Sequence, residues 1–284
     1  MLDYGRSGLK NFLEVRADYF DIVMASRPHD MEFFKKVYQS AAKGDARPKI
    51  VYDAEAFVAE RERALREMKG KSMPHEFFNR RVEAEVGIAN GADLVFAVTR
   101  VGAGHLQAGR GIRSDQVLGH ALSCNPTERE YSERRDILFV GNLDEDESPN
   151  ADSLWWFAEK VLPDVRHVLG DVQLNVVGSC RSGRVRQLAG AYVKLHGRVN
   201  DLRAFYETAR IFVAPTRYAA GIPYKVHDAA AHGVPAVLTD ILAAQLGWTS
   251  KQDALVAEDG CRQRVRGRVR RTVHESTVMG KRPR

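Results

Sequence analysis

Short apolar, β-branched runs alternate with amphipathic stretches of helical length along most of the 284 residues. The runs that read as strands are Asp21–Ser26, Lys49–Asp53, Leu94–Thr99, Ile137–Gly141, Val172–Gly178, Val193–His196, Ile211–Pro215 and Pro235–Asp240. They are near-continuously apolar, as expected of strands buried on both faces of a parallel sheet with helical crossovers. Helical stretches lie between them at Ala54–Met68, Phe77–Asn90, Ala151–Leu169, Leu202–Ala209 and Lys225–His232. This alternation predicts the α/β class, as two Rossmann-like domains. The pattern breaks over Ser123–Arg135, a polar segment with a proline that reads as a linker between domains at 1–122 and 136–260. Folds of this kind bind ligands at the carboxyl ends of their strands, so a ligand cleft between the domains is expected.

Composition adds little until the charge is located. With 44% hydrophobic and 28% charged residues, the chain is neither disordered, collagen-like nor a coiled coil. No apolar run approaches the ~18–20 residues of a membrane helix, and the opening MLDYGRSGLK lacks the features of a secretory signal. Three scattered cysteines without a CxxC read as reduced thiols. The net charge of +6 belongs to residues 261–284, which hold nine Lys/Arg and one acid, Glu275; the rest has 34 bases and 36 acids. The tail's R-x-R-x-R-x-R alternation predicts disorder outside the fold. It also raises an alternative, a nucleic-acid-binding arm, for which the body offers no basic face or aromatic-basic motif.

Familiar phosphate motifs fail on details that their chemistry needs. Gly102-Ala103-Gly104 lacks the third glycine of GxGxxG, which weakens a second alternative, a Rossmann-type oxidoreductase or methyltransferase. Gly178–Gly183 has P-loop glycine spacing, but Arg184 and Val185 replace the Lys and Ser/Thr. His75, His105, His167 and His232 have no zinc spacing, and the acidic Asp144–Glu147 reads as a solvated loop.

The stretch IFVAPTRYAAGIPYKVHDAAAHGVPAVLTD, from Ile211, is more specific. A strand ends at Pro215, a turn holds Gly221 and Pro223, and a helix opens near Tyr224. The free N–H groups of Tyr224, Lys225 and Val226 are expected at the strand's carboxyl end, where a helix N-terminus and the Lys225 charge suit an anion. Asp228, one turn on, can accept from ribose hydroxyls or simply pair with Lys225.

This segment resembles the nucleotide-sugar site of GT-B glycosyltransferases of family 4, whose G-x-P-x-K-V-x-[ED]-A-x-A-x-G-x-P pattern is matched from Gly221 to Pro235. ILFVGNL (137–143), PNADSLWWF (149–157) and LHGRVNDLRAFYETARIFVAPT (195–216) extend the resemblance over 137–257, with weaker likeness over 15–122. It implies transfer of a sugar from a nucleotide-sugar donor to a saccharide, glycan or other hydroxyl acceptor, with retention and without a metal or other cofactor. The diphosphate would lie over Tyr224, Lys225 and Val226 and the sugar would face Ala219–Ile222, with Gly221, Ile222, Pro223, Gly141 and Asn142 against the same donor. Asp228 would hold the ribose, and the base would sit near Gly197, Arg198 and Val199. Lys225 and Asp228 would carry catalysis. Acceptor contacts are expected at strand ends of the first domain, from Arg27, His29, Asp53 and Glu55. A cytoplasmic location, at most peripheral to a membrane, and a role in polysaccharide biosynthesis follow from the same likeness.

The sequence departs from the family where charge matters. The usual glutamate pair falls on Ala220 and Asp228, and the usual Arg and Lys that grip the diphosphate fall near Asn142 and Asn150, leaving Lys225 or Arg217 to supply the charge. The N-terminal domain also lacks the family's opening strand and glycine-rich loop, and the likeness stops near Asp259, so a fragment with an incomplete first domain and impaired catalysis is expected.

Overall fold

The computed structural model describes residues 5–16, 19–41, 48–110, 117–257 and 265–269. The chain divides into two compact units, residues 1–119 with 220–222, and residues 120–219 with 223–284.

The first unit runs α1 (Gly5–Arg16), β1 (Ile22–Ser26), α2 (Pro28–Ala41), β2 (Lys49–Asp53), α3 (Val58–Met68), α4 (His75–Ile88), β3 (Leu94–Phe96) and α5 (Arg100–Arg110). Its strands form a parallel sheet in the order β1-β2-β3, with Ser26 beside Asp53 and Asp53 beside Phe96. One face is covered: Ala25, Ile50, Tyr52 and Val95 pack with Met31, Phe34, Val86 and Leu106 from the helices. The other face is open at its margins, where Ile22, Met24 and Leu94 are exposed. The strand pattern predicted burial on both faces, and this sheet achieves it on one.

The second unit runs β4 (Asp136–Val140), α6 (Pro149–Lys160), α7 (Leu162–Leu169), β5 (Leu174–Val177), α8 (Gly183–Arg186), β6 (Val193–Gly197), α9 (Arg203–Thr208), β7 (Ala209–Ala214), α10 (Tyr224–Ala231), β8 (Ala236–Thr239), α11 (Asp240–Leu246) and β9 (Leu255–Ala257). Its parallel sheet has the order β6-β5-β4-β7-β8-β9, the doubly wound arrangement whose strand order reverses between β4 and β7. Both faces are buried: Ile137 and Phe139 join one core cluster with α6 and α7, while Leu138 joins the other with Val226 and Leu242 of α10 and α11. The stretch expected as one helix over 151–169 is two, because Pro163 is compatible only with a helix's first turn and restarts it after Val161.

Two expectations need correcting. Residues 123–135 do not tether the domains freely but bond to the second unit: Asn125 and Thr127 donate main-chain N–H to Ala231 and His232 carbonyls, and the buried Arg134 donates to the Arg129 and Gly233 carbonyls. The basic tail is not wholly outside the fold either. Residues 265–269 are helical, Val265 and Val269 are buried in the β4–α6 core cluster, and Arg266 pairs with Asp164 at 3.5 Å. Two valines four residues apart give the segment an apolar stripe that the arginine alternation obscures. The remainder of the tail lies outside the described residues.

The ends of β4 and β5 are joined through missing side chains. Gly178 has φ 143°, and a Cβ there would stand 1.8 Å from the carbonyl oxygen of Gly141. Substitution therefore combines a disfavoured backbone conformation with a clash against main chain that no rotamer relieves. Gly178→Ala is expected to lower unfolding free energy by about 3 kcal/mol, read as a lower urea midpoint with an unchanged slope.

Candidate functional site

The site is built where β4, β5 and β6 end. Gly141 follows β4 and donates its N–H to the Val177 carbonyl, while Gly178 donates to the carbonyl of Gly197 at 2.8 Å. Gly141, Gly178 and Gly197 are thereby brought into one row, and Val199 beyond Gly197 packs on the cluster that contains Val226.

The loop after β4 is tied to the loop after β5. Asp144 accepts from the Ser179 hydroxyl at 2.8 Å and from the Arg181 N–H at 3.0 Å, and Ser182 donates to Asp146. The Ser179 bond, with Arg181 beside it, holds the Asp144 carboxyl below the ordinary carboxylate range. The acidic loop is thus organised by specific partners rather than merely solvated. Its end sets the next helix: the Ser148 hydroxyl caps α6 by accepting from Ala151, with Pro149 in the first turn.

That cap places Asn150 at the centre of the site. Its Nδ2 donates to the Asn142 carbonyl at 3.2 Å, and its Oδ1 accepts from Lys225 Nζ at 2.5 Å. Lys225 Nζ also lies 4.8 Å over the Phe139 ring. Burial pushes this amine down to about 8. The positions where the resemblance implies an Arg and a Lys are filled by two asparagines: Asn150 holds Lys225, while the Asn142 side chain bonds Asp144, accepting from its N–H at 3.0 Å. Arg217, the other candidate cation, is held by Asp152, with Nε 2.9 Å from one carboxylate oxygen.

The start of α10 departs from expectation in one detail. Pro223 precedes it without a side-chain cap, and Val226 donates to the Pro223 carbonyl, so the N–H groups outside the helical ladder are those of Tyr224 and Lys225. Asp228 does not pair with Lys225. Its Oδ2 accepts from the hydroxyl of the fully buried Tyr206 at 2.7 Å, and His232 Nδ1 lies 3.5 Å from its Oδ1. His232 also stacks on Tyr206 with ring centroids 4.4 Å apart. Burial, then the Asp228 bond, raises the Tyr206 hydroxyl far above its ordinary range, so it remains a donor. Asn150, Tyr206 and His232 were not assigned to the site from sequence; Tyr206 and Asn150 lie inside the quoted family segments, which is the signal that marks them.

Gly221, with φ 84°, and Ile222 group with the first unit rather than with Lys225. In the first unit, the strand-end candidates come together in part. Arg27 donates to Glu55 at 3.1 Å, and Asp53 accepts from the Glu55 N–H at 3.1 Å, while His29 pairs with Asp30 in the first turn of α2. Arg27 and Glu55 both have positive φ, at 75° and 48°. Among the described residues no three His, Cys, Asp or Glu side chains group as metal ligands, and no helix is long and apolar enough to cross a membrane.

Comparison with known proteins gives this geometry its context. Residues 134–271 match the family model described as glycosyl transferases group 1. A curated relative, the uncharacterized 44.6 kDa protein in the cps region of Klebsiella pneumoniae, is 28% identical over 132 residues, covering 43% of this chain and only 34% of that protein. Among solved structures, Anabaena HepE in complex with UDP and glucose superposes with a TM-score of 0.70 at 15% identity, covering 98% of this chain and 77% of HepE. WaaG, a glycosyltransferase involved in lipopolysaccharide biosynthesis, gives 0.61 at 14% identity, covering 95% of this chain and 73% of WaaG. The fold is that of GT-B glycosyltransferases, with Rossmann-like parallel sheets.

The depressed Lys225 amine makes stability depend on pH in a defined sense. Unfolding restores it to its ordinary 10.5, so between about pH 8 and 10.5 the unfolded chain binds more protons and Lys225 contributes increasing stability as pH rises. Relative to Lys225→Met, the wild type is expected to gain up to about 3 kcal/mol across that window, measured by urea unfolding at pH 7.5 and 10.5.

Proposed function

We propose, from the match of residues 134–271 to the family model described as glycosyl transferases group 1, that this protein transfers a sugar from a nucleotide-sugar donor to a hydroxyl of a saccharide or glycan. The observation that carries the reading is the Lys225 ammonium, bonded to Asn150 at the strand-order reversal where doubly wound sheets take their ligands. A donor diphosphate would lie against Lys225, the free N–H groups at the start of α10 and the Gly141–Asn142 turn. Asp228, held by Tyr206, would accept from the ribose hydroxyls, and the base would meet Gly197, Arg198 and Val199. With Asn142 and Asn150 at the other two positions, Lys225 would be the cation at the diphosphate.

Lys225 would stabilise the negative charge that develops on the departing diphosphate, the interaction that strengthens most at the transition state. Retention of configuration and independence from metal belong to the same proposal. The Arg27–Glu55 pair and Asp53, at strand carboxyl ends in the first unit, support an acceptor role there, with His29 nearby in sequence. HepE in complex with UDP and glucose supports the choice of UDP as the first nucleotide to test.

Isothermal titration with UDP is expected to show binding that is unchanged by EDTA, is weakened at least about tenfold by Lys225→Met (about 1.4 kcal/mol or more), and is weakened by Asp228→Ala. Because an anion raises the amine from about 8, binding at pH 8.5 should take up a proton, visible as a dependence of the heat on the buffer's ionisation enthalpy. That dependence should vanish in Lys225→Met. Equal affinity in the wild type and both variants overturns the assignment of the site.

A further inference from the structure

Two histidines that no local spacing connects meet on the surface of the second unit. His120 and His227 are 107 residues apart in sequence, and their Nδ1 atoms stand 3.1 Å from each other. His120 is exposed and lies in the segment that leads into residues 123–135, while His227 is partly buried on α10. The main chain brings the two together: further along the same segment, Asn125 and Thr127 donate to the carbonyls of Ala231 and His232, so the segment runs beside α10. An aromatic ring steadies each imidazole. Tyr224 meets His120 edge-on with centroids 5.0 Å apart, and Trp248 lies 5.6 Å from His227.

Two imidazole nitrogens this close share a proton, one ring donating and the other accepting, or they share a cation once both protons reside on Nε2. The separation suits a cation. At the 2.0–2.1 Å of a zinc–imidazole bond, nitrogens 3.1 Å apart enclose an angle of about 100° at the ion, between the right angle of octahedral or square-planar sites and the tetrahedral angle. The rings are nearly perpendicular, at 82°, so both can present an edge to one ion without stacking. Nitrogen donors select zinc, nickel or copper over magnesium and calcium, which take oxygen ligands. Among the described residues no third His, Cys, Asp or Glu side chain joins them. Positions remain for water, which makes the ion exchangeable rather than structural.

We propose that His120 and His227 form a two-imidazole chelate for a divalent transition-metal ion, separate from the donor contacts at Lys225 and Asp228. The ion would fasten residue 120 to α10, adding a point of attachment to the Asn125 and Thr127 bonds. No local motif marks this pair, because its two halves become neighbours only when the segment lies along the helix.

Titration of the whole, tag-free chain with nickel chloride, followed by calorimetry and tryptophan fluorescence, is expected to show a site whose filling quenches Trp248, the ring beside His227. Zinc chloride should compete for it, and magnesium chloride should not. His120→Ala and His227→Ala, each with unchanged circular dichroism, should weaken the site on the order of a hundredfold, as when a chelate becomes a single ligand. Combining the two should cost no more than either alone, since one substitution already breaks the chelate. Trp248→Phe should keep the affinity and lose the quenching. A parent that binds no nickel, equal affinity in the parent and the single variants, or losses that add in the double variant overturns the proposal.

Discussion

The candidate site depends on one close approach of main chain to main chain. Where Gly178 meets the Gly141 carbonyl there is no room for a Cβ, and this lets the loops after β4 and β5 lie on each other closely enough to be tied by Asp144, Ser179 and Arg181. From that tie follow the cap at Ser148, the position of Asn150, and the bond that fixes Lys225. The same contact hands Gly197 its place through the Gly178 N–H. Steric constraint, rather than charge attraction, assembles the site; the charge is then added to a frame already set.

The frame also sets the surroundings of Lys225. Lys225 has neutral neighbours, Asn150 and the Phe139 face, and burial lowers its proton affinity. An ammonium that is poorly solvated and not matched by a carboxylate is available to an arriving anion at little cost in broken ion pairs. Arg217 shows the contrast: its guanidinium is already committed to Asp152.

Much of this was legible in the sequence, and the exceptions have physical causes. The eight strands expected from apolar runs all occur, because short apolar runs leave a signal that survives without neighbours, in the sheet buried on one face as in the sheet buried on both. The ninth, Leu255–Ala257, is too short to stand out. Helices such as α1, α2 and α5 were missed, their few apolar positions being diluted by polar ones. Lys225 and Asp228 were found through a local pattern, but their partners Asn150 and Tyr206 lie 75 and 22 residues away, and spacing along a chain does not report which strands will be neighbours. Conversely, the arginines of the tail were read as a property of the whole segment, although Val265 and Val269 decide what part of it does.

Those two valines have a practical bearing. A basic, apparently dispensable tail invites trimming at residue 260 to improve handling or crystallisation. Such a chain would lose Val265 and Val269 from the cluster that packs α6 and α7 against the sheet, and would leave Asp164 without Arg266. The exposed apolar patch on the second unit would favour aggregation, and its effect could be mistaken for evidence that the arginines themselves confer solubility.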